Sequence, residues 1–393
     1  MKQSPTSQDT VAQRPGGDRG AAAGRPPLHP GTSPGAAVSI EGVTKRYGGQ
    51  PAVDDVSLEI TAGEFVTFLG PSGSGKTTTL NMIAGFSDLD AGRILLDGRS
   101  IAELPPHKRD VGMVFQNYAL FPHMTAFDNI GFPLKQRRVD KQELRRRVME
   151  ALELTQMEKY AKRYPRELSG GQQQRVAVAR AIVFNPRVLL MDEPLGALDK
   201  KLRESIQLEI KSIHRRLGIT FIYVTHDQEE ALVLSDRIAI FRDGRIVQVG
   251  TADELYERPR ATFVADFIGD SNLFEGRIRR NGSEDWLEGD ELTCRVALPA
   301  DWPGGDSATL VIRPERLCLL PAGAPVAGDL NAVEGIVTEI IYLGNTLRFV
   351  VTAPATGRAF LVRTPITDDA ARDLRAGDGV LVTWPVPAGI LVR

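Results

Sequence analysis

The segment Gly70-Pro71-Ser72-Gly73-Ser74-Gly75-Lys76-Thr77-Thr78 constrains this chain more than any other stretch. It satisfies the pattern G-x-x-x-x-G-K-[ST] and follows a short apolar run, Phe65-Val66-Thr67-Phe68-Leu69, that reads as a strand. The next residues, through Met82-Ile83, have helical character. A strand that turns through glycines into a helix aims successive backbone N–H groups at one point, and that point suits phosphate. In this geometry Lys76 reaches the terminal phosphates of a nucleotide and the Thr77 hydroxyl serves a Mg²⁺ ion. A plain Gly/Ser turn accounts for neither the Lys-Thr pair nor the flanking strand.

A second apolar strand, Val188-Leu189-Leu190-Met191, ends in the carboxylates Asp192 and Glu193. The carboxyl ends of strands are where open α/β sheets bind ligands. Beside a phosphate loop, Asp192 suits the Mg²⁺ shell and Glu193 suits a general base that polarises water.

The remaining pattern defines an α/β core with additions. The chain has 393 residues, enough for two or three domains at about 150 residues each. Residues 38–40 and the alternation of Val56, Leu58 and Ile60 read as two paired strands. Residues 117–185 are mainly helical, 200–217 form an amphipathic helix and 219–225 a β-branched strand. Residues 237–250 form a hairpin turning at Asp243-Gly244. Strands alternating with helices imply a largely parallel sheet, split here by a helical insertion. From about Ser271 the segments shorten and alternate with Gly, Pro and Asp turns, which predicts a separate small β-barrel domain.

Residues 1–37 are rich in Gly, Pro, Ser and Ala and are expected to form a disordered tail. The domain boundaries expected from these features are 1–37, 38–270 with a helical subdomain at about 117–185, and 271–393. A formal net charge of −2 gives no broad basic field, so nucleic acid is not expected as a partner. The basic run from Lys135 to Arg147 reads as a solvated helix face and is given no function. Cys294 and Cys318 form no framework of disulfides or metal ligands and are expected to be reduced thiols. No stretch approaches the ~18 consecutive apolar residues of a spanning helix, so membrane association is expected to come through a partner.

Leu168-Ser169-Gly170-Gly171-Gln172-Gln173-Gln174-Arg175, lying between the two nucleotide motifs, resembles the signature sequence of ABC ATPases. Gln116 resembles that family's Q-loop, Leu198-Asp199 its D-loop, His226 its switch histidine and Tyr47 its aromatic A-loop residue. The resemblance implies an α/β fold, a P-loop (RecA-like) ABC nucleotide-binding domain with a helical subdomain, followed by an all-β, OB-like TOBE barrel. It implies ATP hydrolysis with Mg²⁺ held by Thr77, Gln116 and Asp192, and catalysis by Glu193, His226 and Gln116. Tyr47 would stack on adenine. Ser169, Gly170, Gly171 and Gln172 would cover the ATP of a second copy in a head-to-tail dimer.

Tyr118-Ala119-Leu120-Phe121-Pro122-His123-Met124-Thr125 resembles the surface on which bacterial ABC importers receive a permease helix, and its aromatics are expected to be exposed. Ile312-Arg313-Pro314-Glu315 and the segment from Glu339 to Gly344 resemble the TOBE domain of such importers. The implied partners are a second copy, two transmembrane permease subunits and a periplasmic solute-binding protein. The implied location is the cytoplasmic face of the inner membrane, as a peripheral protein. The subtype most resembled is the ATP-binding subunit of spermidine/putrescine importers, with ferric iron, phosphonate, opine and sugar importers using similar motors. A soluble ABC ATPase outside transport and a barrel acting as a regulatory binding module are the readings from other classes.

Overall fold

The computed structural model describes residues 34–196, 199–281, 284–299, 302 and 305–393. The expected tail therefore lies almost wholly outside the described residues, as does Leu198. Residues 34–37, assigned to the tail from sequence, are docked: Ala36 is fully buried and its amide donates to the Arg187 carbonyl.

Strands β1 (Val38–Tyr47) and β2 (Gln50–Ile60) pair antiparallel. In β2, Val53, Val56, Leu58 and Ile60 are buried while Ser57 and Glu59 face solvent, the alternation of a strand with one covered face. Strand β3 (Phe65–Leu69) leads through the glycine loop into helix α1 (Lys76–Ala84). Strands β4 (Ala91–Leu96) and β5 (Arg99–Ser100) complete a four-stranded sheet in the order β2-β1-β4-β5. The β1/β2 pair is the one expected from sequence; β4 and β5, which extend it to four strands, are not anticipated there.

Strand β6 (Val111–Val114) precedes the helices α2 (Ala126–Gln136), α3 (Lys141–Leu154) and α4 (Gly170–Ile182). These three helices share their own core, built on Ile130, Leu134, Val148, Leu152, Val176 and Ala179. The polar faces carry the charges: Arg146 and Arg147 pair with Glu143 on α3, and Lys135 pairs with Asp128.

Strand β7 (Val188–Asp192), helix α5 (Lys200–Leu217), strand β8 (Thr220–Thr225), helix α6 (Gln228–Leu234) and strands β9 (Arg237–Arg242) and β10 (Arg245–Gly250) follow. The second sheet has the order β10-β9-β3-β8-β7-β6 and is parallel except for the β9/β10 hairpin at one edge. Its inner strands are covered on both faces, which is why β3 and β8 are apolar along most of their length and buried throughout. Helix α5 turns Ile206, Ile210, Ile213 and Leu217 inward and ends at Gly218, whose φ of 63° closes the last turn.

Helices α7 (Ala252–Glu257) and α8 (Thr262–Phe267) lead into a β-rich part. Its strands are β11 (Asn272–Asn281), β12 (Glu284–Glu288), β13 (Thr293–Val296), β14 (Ser307–Ile312), β15 (Cys318–Pro321), β16 (Leu330–Tyr342), β17 (Thr346–Thr352), β18 (Ala359–Pro365), β19 (Gly379–Pro385) and β20 (Gly389–Val392). They form two five-stranded antiparallel sheets, β13-β12-β11-β14-β20 and β15-β19-β16-β17-β18. One core fills the space between them, with Phe274, Phe349, Phe360 and Trp384 at its centre. Asn272 joins the sheets by taking the part of a strand: its side chain donates to the Leu361 carbonyl at 2.9 Å and accepts from the Leu361 amide at 2.7 Å. Cys294 is buried and Cys318 exposed, and both are free thiols.

Candidate functional site

The phosphate loop and four further sequence-predicted residues meet at the carboxyl edge of the parallel sheet. The loop Gly70–Thr77 leaves β3 there, Asp192 and Glu193 end β7, Gln116 follows β6, and His226 follows β8. Parallel strands all present their carboxyl ends on one side, so topology alone gathers residues from four separated positions.

The loop depends on its glycines. A side chain at Gly70 would put a Cβ 2.3 Å from the Phe241 carbonyl oxygen, and one at Gly75 would put it 2.5 Å from that of Ala52. Gly75, with φ of 99°, is the N-cap of α1 and supplies no side-chain cap, which leaves the helix terminus open to an anion. Lys76 is 4% exposed and its ammonium donates to the carbonyls of Gly70 and Pro71, both at 2.8 Å. Burial lowers the Lys76 pKa below the ordinary lysine value, against the opposing charges of Glu193 and Asp192. Pro71, Ser72, Gly73 and Thr77 are exposed and Thr78 half-buried, whereas Ser74 is buried against the Lys76 ammonium at 3.4 Å.

The Thr77 hydroxyl donates to Asp192 Oδ1 at 2.9 Å. Burial raises the Asp192 pKa above the usual carboxylate value, the Glu193 charge adds to this, and the Thr77 hydrogen bond and Lys76 oppose it. A hydroxyl and a carboxylate so close together offer hard oxygen donors, the set that holds Mg²⁺ together with substrate phosphates. Among the described residues no cluster of three or more His, Cys, Asp or Glu offers a metal site made by protein alone.

Glu193 sits in the left-handed region at φ of 41°, a conformation that costs a non-glycine residue about 1–2 kcal/mol. Its amide is fixed by the Val224 carbonyl at 3.0 Å, so the neighbouring strand β8 holds the turn in place. The carboxylate then meets two groups at once: Gln116 Nε2 at 3.3 Å on Oε2 and His226 Nδ1 at 3.2 Å on Oε1. His226 is more than half exposed and Glu193 mostly buried.

The remaining predicted residues stand apart. Ser169 caps α4 through a reciprocal pair with Gln172, whose amide donates to the Ser169 hydroxyl while its side-chain oxygen accepts from the Ser169 amide. Ser169 and Gly170 are exposed, Gln172 is half-buried and Gly171 packs against Leu202 and Ile206. Among the described residues no hydrogen bond or ion pair joins 169–172 to the phosphate loop. Asp199 caps α5 by accepting from the Leu202 amide at 3.0 Å. Tyr47 is 56% exposed at the end of β1, with its hydroxyl 3.4 Å from Ser87 Oγ.

One expectation is corrected. Tyr118, expected among the exposed aromatics, is 7% exposed and packs in the core beside Ala177, Val178 and Leu189. Both Tyr118 and Ala119 have positive φ, at 60° and 46°, and this double turn drives the ring inward. Phe121 is half-buried against Phe132, at 4.6 Å between ring centroids.

Sequence reasoning also missed Arg180. This buried residue on α4 donates to the carbonyls of Ala119 at 2.7 Å and Tyr118 at 2.8 Å, so the helix that begins at Ser169 holds the turn that follows Gln116. An arginine in an otherwise apolar helical run, Val176-Ala177-Val178-Ala179-Arg180-Ala181-Ile182, was the available signal.

Residues 53–196 match the ABC transporter family and residues 310–392 the TOBE domain. The chain resembles a solved dimeric ATP-binding cassette in a post-hydrolysis state bound to ADP and phosphate, at 36% identity and a TM-score of 0.50, covering 55% of this chain and 98% of that one. It also resembles CbiO1 from Clostridium perfringens, part of an ABC transporter complex, at 30% identity and a TM-score of 0.53, covering 56% of this chain and 89% of that one. Fold and site together define an ATP-hydrolysing subunit of the ABC transporter class.

Within that class, relatives named spermidine/putrescine import ATP-binding protein PotA match nearly the whole chain. The one from Rubrobacter xylanophilus is 48% identical, covering 88% of this chain and 91% of its own length. The one from Acidothermus cellulolyticus is 47% identical, covering 90% and 93%. The chain belongs to this family of ABC import ATPases.

Proposed function

We propose that this chain is the motor of a polyamine importer, hydrolysing ATP at a site that Lys76, Thr77, Asp192, Glu193, Gln116 and His226 make together. The observation that carries the reading is the convergence of Gln116 and His226 on the Glu193 carboxylate, next to the Thr77–Asp192 pair. Glu193 is the general base: its carboxylate polarises the attacking water, and Lys76 neutralises charge on the phosphates. Thr77 and Asp192, with Gln116, hold Mg²⁺, which supplies charge neutralisation on the phosphates when bound. His226 places its imidazole where charge develops on the γ-phosphate, and Tyr47 offers a ring face for adenine.

The exposed Ser169–Gly170 helix start is directed to the ATP of a second copy, in a head-to-tail dimer. In this reading residues 38–270 form the motor and 271–393 an accessory β domain. The dimer works on two permease subunits at the cytoplasmic face of the inner membrane, supplied by a periplasmic binding protein. No helix among the described residues is long and apolar enough to cross a membrane. Support for spermidine or putrescine as the solute is the family membership.

The test is uptake of radiolabelled spermidine and putrescine in a strain deleted for this chain and complemented with wild type or Glu193→Gln. Restored uptake with the wild type and none with the variant is expected. Wild-type complementation that leaves polyamine uptake unrestored, while restoring uptake of ferric iron, a phosphonate, an opine or a sugar, reassigns the solute.

A further inference from the structure

His226 is followed at once by α6, so whatever fixes the first turn of α6 fixes where the imidazole can point. Besides bonds within the β8–α6 segment, Asp227 and Gln228 tie it to two other elements. Asp227, the N-cap, is paired with Arg203 of α5 at 2.8 Å. Gln228, the first helical residue, accepts through Oε1 from the Gly269 amide at 3.0 Å. Gly269 lies just past α8, at the junction where the chain enters the β-rich part.

That junction is clamped from the other side. Arg313, at the end of β14, is fully buried, and its guanidinium donates to the carbonyls of Ala265 at 2.8 Å and Tyr256 at 3.0 Å and to the Ser271 hydroxyl at 2.5 Å. It also stacks on the Tyr256 ring, 4.1 Å from the centroid. Gly269 has φ of 81°, and a Cβ there would come within 2.9 Å of the same Tyr256 ring. Packing runs alongside: Ala231 of α6, Ile268 of the junction and Leu69, the residue before the phosphate loop, share one buried cluster.

We infer that Gln228 is a positioning residue for His226, and that the β-rich part sets the placement of the imidazole through Arg313, Gly269 and Gln228. A guanidinium fork that bonds three carbonyls, the third that of Asp270 at 3.4 Å, and a hydroxyl while stacking on a ring locks its surroundings into one arrangement. Motion of the β-rich part is therefore passed to the α6 N-terminus rather than absorbed at the junction. The inference rests on the reading of His226 given above.

The experiment measures steady-state ATP hydrolysis and ATP affinity of the full chain in its transporter complex. Gln228→Leu removes the acceptor at similar volume, and kcat is expected to fall roughly three- to tenfold, the value of one hydrogen bond, with ATP affinity and KM unchanged. Gln228→Glu keeps an acceptor and restores kcat. In a His226→Ala background Gln228→Leu has no further effect, and combined with Arg313→Lys it lowers kcat no further than the larger single change. A Gln228→Leu protein with wild-type kcat, a parallel rise in KM, failure of Gln228→Glu to rescue, or additivity with either partner overturns the inference. A His226→Ala protein with full activity overturns instead the role given to His226.

Discussion

His226 Nδ1 stands 3.2 Å from Glu193 Oε1, although 32 intervening residues separate them along the chain. The contact exists because β7 and β8 are parallel neighbours, with Asp192 opposite Val224 in register. A carboxylate held against an imidazole on one oxygen and an amide on the other is oriented on both sides. Glu193→Gln keeps the shape and removes the carboxylate proposed as the base. Its turnover is expected to fall by about 10²–10⁴-fold, with ATP still bound and the dimer accumulating, as read by phosphate release and size-exclusion chromatography with ATP. Undiminished hydrolysis excludes Glu193 as the base.

Lys76→Ala removes the ammonium that the loop carbonyls of Gly70 and Pro71 hold in place. ATP affinity is expected to fall by about 1.5–3 kcal/mol, the range for a hydrogen bond to a charged group, which is roughly a 10- to 150-fold rise in Kd. Equilibrium binding of a fluorescent ATP analogue checks this, and an unchanged Kd counts against the phosphate-loop role.

Burial raises the Asp192 pKa, so the folded protein binds this proton more tightly than the unfolded chain does. The stabilising contribution is present below the unfolded carboxylate pKa and is lost as pH rises through the higher folded value. Asp192→Asn carries no charge at any pH. Without nucleotide it is expected to melt above wild type at pH 7.5, with the gap closing as pH approaches 4, while Mg²⁺-dependent hydrolysis falls by at least the roughly 10–100-fold that loss of an outer-shell partner costs. Thermal unfolding across that pH range, with an assay at each Mg²⁺ concentration, measures both effects.

Arg180→Met leaves the Tyr118 and Ala119 carbonyls without their donors. The buried Tyr118 carbonyl, left unpaired, costs about 1–3 kcal/mol, whereas Ala119 is exposed and its carbonyl can turn to water. Denaturant unfolding should show the loss. Transport is expected to fall more than basal ATP hydrolysis, because the turn after Gln116 lies in the segment read as facing the permease.

In the β-rich part, Trp384 is 1% exposed and its Nε1 has no hydrogen-bond partner among the described residues, so its contribution is packing. Trp384→Ala is expected to cost about 3–5 kcal/mol. ATP affinity should stay unchanged, since the indole lies in the core of the β-rich part and the phosphate loop lies outside that core. A matching loss of ATP binding would show that the two parts unfold as one.

The sequence by itself determined the local chemistry. Gly70 through Thr77 could be read directly because a phosphate loop is a contiguous device whose spacing is its mechanism, and helix α5 because its apolar stripe and Asp199 and Gly218 caps are written in one segment. Asp192 and Glu193 were legible for the same reason, being the end of an apolar strand. What the tertiary structure decided is how residues far apart in the chain are brought together. That Gln116 and His226 close on Glu193 follows from the strand order β8-β7-β6; the alternation of strands and helices implies a parallel sheet, but which strands lie side by side depends on long-range packing that local periodicity does not encode. The inward turn of Tyr118 and the grip of Arg180 on it were hidden likewise: an aromatic in a polar loop looks exposed until a buried guanidinium on another helix supplies the donors that let the backbone turn inward.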